Sequence, residues 1–136
     1  MVKNINKNIM LLSCKSKDAA IEDSEVISDL KDTLSANSDR CVGMAANMIG
    51  VLKKIIIVNI GSINMIMVNP EILKKSGEYE TEEGCLSLEG VRKVKRYKNI
   101  EVKFQDEKFV KRVRKFSGFT AQIIQHEIDH CNGIII

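Results

Sequence analysis

The chain has 136 residues, 44% hydrophobic and 29% charged, with a net charge of +3. That suffices for one domain over 1–136 with a single sizeable core, and not for two. No apolar run approaches the roughly 18 residues of a membrane span, and Met1 to Leu12 lack the long apolar core and small-residue cleavage site of an export signal. A cytoplasmic protein is expected, because Cys14, Cys41, Cys85 and Cys131 include no CxxC pair and suit ligands or buried small residues better than disulfides.

In chain order, the first predicted element is a helix from Ser24 to Ala36. Ser24 is a candidate N-cap, and Val26, Ile27, Leu30 and Leu34 form an apolar stripe at helical spacing. A polar turn, Asn37 to Arg40, leads into Cys41-Val42-Gly43-Met44-Ala45-Ala46-Asn47-Met48-Ile49-Gly50. Its small residues Gly43, Ala45 and Ala46 suit a backbone that passes close to another backbone or to a ligand. Strands are predicted over 54–60 and 64–68, turning at Gly61-Ser62, with Asn69-Pro70 ending the second. Residues 71–79 continue extended through acidic Glu80 to Glu83 into Glu83-Gly84-Cys85-Leu86-Ser87. Further strands cover 91–94 and 99–113, with a turn near Asp106-Glu107-Lys108. Between Arg92 and Lys115 stand eleven Lys and Arg against three acids. Ile100, Val102 and Phe104 alternate with Glu101, Lys103 and Gln105, the pattern of a half-exposed sheet whose outward lysines discourage edge pairing.

A final helix starts near Ser117 and stops at Gly133, a good C-terminal cap. Phe119, Ile123, His126 and His130 share one face, and Ile124, Ile128 and Cys131 cover the adjoining arc. Gln122, Gln125 and Asp129 are left as a narrow polar stripe. A helix this apolar belongs in the centre, with strands packed around it. It carries His126-Glu127-Ile128-Asp129-His130, two imidazoles at i and i+4 that can grip one metal ion with Glu127 beside them. A catalytic metal needs three protein ligands and an open position. No His, Cys or carboxylate follows His130 except Cys131, next to it on the helix, so the third ligand is sought upstream, with Cys85 the best candidate. A zinc protease, which takes its third ligand downstream, is disfavoured. Glu127 is placed to move a proton, while Gln125 and Asp129 suit either ligand orientation or solvent.

Glu83-Gly84-Cys85-Leu86-Ser87, followed by Gln125-His126-Glu127-Ile128-Asp129-His130, resembles the second and third motifs of peptide deformylases. Cys41 to Gly50 resembles the first, with Cys41 at the family's leading glycine and Met48 at its glutamine. The resemblance implies an α+β fold, mostly antiparallel sheets wrapped around a central C-terminal helix that carries the metal motif. It implies hydrolysis of the N-formyl group from the formyl-methionine of nascent chains, with Cys85, His126 and His130 as ligands and Glu127 as proton carrier. The cofactor would be one divalent ion, Fe(II) in the cell, although the donor set also suits Zn(II), Ni(II) and Co(II). The developing oxyanion would be held by the metal, the backbone N–H of Leu86 and the motif glutamine. Met48 has no N–H to offer, and losing one such donor typically costs about 2.7–4 kcal/mol. Asn47, in an extended segment, would point to the opposite face. Val42, Gly43 and Met44, with Met48, would line the substrate cleft and offer backbone groups to an extended peptide. Arg96 falls where the family often has an arginine, though a solvated strand accounts for it equally well. The basic 92–115 segment would suit a weak ribosome contact; neither DNA nor membrane is an expected partner. The alternative is a divergent paralogue with weak or no deformylation, acting on another small amide or binding formyl-peptides.

Overall fold

A computed structural model describes all 136 residues. Helices α1 (Ile9–Leu12), α2 (Ser24–Ala36) and α3 (Gly118–Cys131) accompany strands β1 (Gly43–Ala45), β2 (Ile55–Asn59), β3 (Asn64–Cys85), β4 (Leu88–Gln105) and β5 (Lys111–Ser117). The strands form one antiparallel sheet in sequential order β1-β2-β3-β4-β5. Helices α2 and α3 lie on its opposite faces.

The two-residue period of the strands divides the core. Ala45, Ile56, Val58, Met67, Ile100, Val102 and Phe104 pack with Ile123, Ile124, Ile128 and Cys131 of α3. Met44, Ile55, Ile57, Ile66 and Val68 pack with Ile27, Leu30 and Leu34 of α2. Strand β2 is apolar without interruption from Ile55 to Val58 because both its faces are covered. The expected sheets around a central helix are thus a single sheet, with α3 set against the strands that carry the site.

Three local expectations are corrected. Ser24 opens α2 but does not cap it. Its hydroxyl donates to the Ile21 carbonyl, inside a 3-10 turn over Ile21–Asp23 that precedes the helix. Pro70 does not end its strand either. The register shifts between Val68 and Glu71, and Asn69 takes a positive φ of 50°, so the chain makes a bulge and β3 runs on to Cys85. A bulge is one of the few places in a sheet where the missing N–H of proline is tolerated. The Asn69 side chain holds it, accepting from Ala19 N at 2.8 Å and donating to Gln105 Oε1 at 3.0 Å. Likewise the strand expected over 91–94 and the part before the turn of that expected over 99–113 are one strand, β4, paired with β3 along its length.

Candidate metal centre

Past the end of β5, residues 78–85 of β3 and 88–97 of β4 form a two-stranded ribbon that turns at Leu86 and Ser87. Its tip carries Cys85 to α3. On α3 the one-turn spacing of His126 and His130 sets their rings edge to face, 4.7 Å between centroids. Their Nε2 atoms approach to 3.0 Å, and Cys85 Sγ lies 3.3 Å from His130 Nε2. All three donor atoms fall within 4.8 Å of one another. One thiolate and two imidazoles at this spacing match the donor set of a mononuclear Zn(II), Fe(II), Ni(II) or Co(II) site, so the residues fit the implied ion.

The same ribbon face brings up a second layer of polar groups. Glu83 Oε1 lies 2.7 Å from His126 Nδ1. A proton on Nδ1 shared with that carboxylate leaves Nε2 free to bind a cation. Glu83 is itself gripped by Arg96, whose Nε and Nη2 donate to the carboxylate at 3.0 and 2.7 Å, and by Gln122 Nε2 at 2.9 Å. Arg96 also donates to Asp129 Oδ2 at 2.7 Å. Burial would raise the Glu83 carboxyl, but its hydrogen bonds from His126, Arg96 and Gln122 outweigh that and hold it at about 2. For His126 burial favours the neutral ring, yet hydrogen bonds to Cys85 and Glu83 prevail and push it up to about 10, so a cation binding at Nε2 would displace a proton. His130, which has no carboxylate partner, is pushed down to about 3 by burial and by its charged neighbour His126.

Glu127 faces the other way, toward β1. It is 4% exposed, its Oε1 has no hydrogen-bond partner, and burial raises its carboxyl to about 7. Gly43 explains the fit. A Cβ there would stand 2.7 Å from Ile123 Cγ2 and 2.9 Å from Glu127 Oε2, so only glycine lets β1 pass this close to the carboxylate.

The centre opens into a cleft of about 860 Å³ between β1 and the ribbon tip, lined among others by Val42, Gly43, Met48, Cys85, Leu86, His126 and Glu127. Met44 is the exception among the expected cleft residues. Its side chain is fully buried in the α2-side core, because alternation turns it away from Gly43 and Ala45. Asn47 does not lie in an extended segment. Residues Ala46–Ile49 form a 3-10 turn, and Asn47 Nδ2 donates to the His130 carbonyl at 2.9 Å. It braces the metal helix and offers nothing to the cleft. Sequence reasoning missed Glu83 as a partner of His126 and left Arg96 and Asp129 undecided; Arg96 is 4% exposed. The available signal was a carboxylate two residues before Cys85 on the same strand face.

A cysteine and two histidines around one point, with an unpartnered buried carboxylate beside them at an open cleft, have the make-up of a metal-dependent hydrolase centre. Comparison with known proteins makes this specific. The family model described as "Polypeptide deformylase" matches residues 2–136. A peptide deformylase of Clostridium beijerinckii is 57% identical over 136 residues, all of both chains. The crystal structure of an actinonin-bound class I type b peptide deformylase from Acinetobacter baumannii is 31% identical and superposes with a TM-score of 0.88, covering 99% of this chain and 95% of that one. A Met-Ala-Ser-bound structure of the Acinetobacter enzyme gives 0.88 at 28% identity, covering 99% and 97%. The chain belongs to the polypeptide deformylase family, metal-dependent enzymes that remove the formyl group from nascent peptides.

Proposed function

We propose that Cys85, His126 and His130 hold a single Fe(II) ion and that Glu127 carries the proton in deformylation of N-formyl-methionyl peptides. When bound, the ion polarises a water and the formyl carbonyl. The rest is done by the chain. Glu127 takes a proton from the attacking water and delivers it to the leaving amine. The Leu86 N–H, at the ribbon tip, steadies the developing oxyanion. The Val42 side chain and the backbone of Gly43 at the open edge of β1, with Met48 beneath them, form the wall against which the peptide extends. The observation that carries this reading is Glu127 Oε1, buried and unpartnered beside the Cys-His-His cluster. The Met-Ala-Ser tripeptide bound by the Acinetobacter enzyme is the kind of product such a cleft would release.

The test is anaerobic turnover of formyl-Met-Ala-Ser by Fe(II)- or Ni(II)-loaded protein. Wild type is expected to turn over, Glu127→Ala to lose turnover while keeping one metal per chain, and Met48→Gln to gain roughly 10²–10³ in rate if a second oxyanion donor is what the chain lacks. Metal-loaded wild type and Met48→Gln that both leave the formyl group in place would overturn the reading. The cytoplasm is the compartment where nascent formyl-peptides meet such an enzyme. The basic 92–115 segment would give it a weak, salt-sensitive contact with ribosomal RNA.

A further inference from the structure

Strand β1 is an edge strand, paired only with β2. Its register, Gly43 opposite Val58, Met44 opposite Ile57 and Ala45 opposite Ile56, combines with the bond from Asn59 N to the Val42 carbonyl at 2.8 Å. In an antiparallel pair, hydrogen-bonded and non-hydrogen-bonded positions alternate. Val42 and Met44 therefore spend their backbone groups on β2, while those of Gly43 and Ala45 point to the open edge and the cleft. An open edge of this kind normally awaits another strand. Here two side chains already engage it. The Cys41 thiol donates to the Gly43 carbonyl at 2.8 Å, and the Met48 thioether accepts from Ala45 N at 3.5 Å.

From this geometry we propose that Cys41 sets substrate affinity, its thiol competing with the peptide N–H for the outward carbonyl of Gly43. Cys41 is half-buried at the cleft wall, and burial keeps its thiol protonated, pushed up to about 11, so it remains a donor at neutral pH. A peptide adding to β1 must displace that thiol before its own N–H reaches Gly43 O. A thiol is a weak donor, so the displacement is cheap enough to permit binding and large enough to measure. Cys41 thus acts as a positioning and affinity residue and takes no part in the chemistry. The inference rests on the proposal that the peptide lies along β1.

Two substitutions separate the alternatives. Cys41→Ala frees Gly43 O and is expected to lower KM for formyl-Met-Ala-Ser roughly two- to tenfold, the range of one net hydrogen bond, with kcat little changed. Cys41→Ser keeps a donor in place and is expected to hold KM at or above the wild-type value. The same ordering, Ala tightest, is expected for the Kd of Met-Ala-Ser measured by calorimetry, which needs no turnover. If KM and Kd are unchanged in the alanine variant, or fall equally in alanine and serine, the competition does not exist. If wild type binds Met-Ala-Ser but never deformylates, the activity proposal falls alone, and the Kd series still decides this one. A wild-type protein that binds no Met-Ala-Ser at all would overturn it.

Discussion

Glu83 accepts hydrogen bonds from an imidazole, a guanidinium and an amide at once, although it is not one of the three grouped metal donors. Its charge fixes the His126 ring so that Nε2 faces the site, and such partners typically matter 10–100-fold in metal affinity. Glu83→Gln keeps the shape and removes the charge. Competition titration of Ni(II) against a chromophoric chelator is expected to show a loss of about that size; an affinity within twofold of wild type would reduce Glu83 to a structural partner of Arg96. Cys41 carries a pH prediction. Its folded pKa, about 11, stands above the 9.0 of an ordinary thiol, so the unfolded chain releases this proton first. The Cys41 contribution to stability is accordingly constant below pH 9 and declines as pH rises from 9 through 11. Urea unfolding of wild type against Cys41→Ala should show the steeper decline in wild type across that window. At this scale the meeting of Cys85, His126 and His130 was legible, because metal geometry demands particular residue types at particular spacings. Glu83 and Arg96 were not, since an acid in an acidic run and an arginine among lysines look like solvated strand positions until the ribbon is folded against α3.

Elements were legible where one periodicity runs unbroken, as in α2, whose predicted span matches residue for residue. They were misjudged where a local breaker is overruled by tertiary bonds. Asn69-Pro70 reads as a strand end, but the Asn69 side chain ties the bulge to Ala19 and Gln105, and that support was invisible in local sequence. The end of α3 was legible, and its glycine does more than terminate. Gly133 has a φ of +73°, and a Cβ on it would meet Ser13 O at 2.5 Å, so the N-terminal segment packs directly on this backbone. Gly118, at the other end of α3, has a φ of +62° and open space around it. Alanine at Gly118 should cost only the left-handed penalty, about 1–2 kcal/mol. Alanine at Gly133 adds a backbone clash and should cost clearly more, roughly 3 kcal/mol or above. Equal losses by urea denaturation would mean that the N-terminal segment simply moves aside.

For the whole molecule, the antiparallel strands and the inward-facing metal helix were legible, but not the single meander with α2 and α3 on opposite faces. Composition cannot assign two apolar faces of one strand to two different helices. This layout decides what a bound cation would do for stability. Two of its ligands belong to α3 and the third to the ribbon tip, 45 residues from His130 in sequence. The ribbon tip makes no pairing with another strand beyond its own hairpin, so the cation would close a long loop onto the central helix. A ligand that binds only the folded state adds about 2.7 kcal/mol at one hundred times its Kd, which for a chain of this size raises Tm by on the order of 10 °C. Removing metal with a chelator should lower the melting temperature by about that much, and adding Ni(II) should restore it. In Cys85→Ala the chelator-sensitive increment should shrink sharply while the metal-free melting temperature falls only slightly, because Cys85 is half-buried at the margin of the α2-side cluster. If Cys85→Ala kept the full increment, the two histidines would be holding the ion without the ribbon, and the three-ligand centre would be wrong.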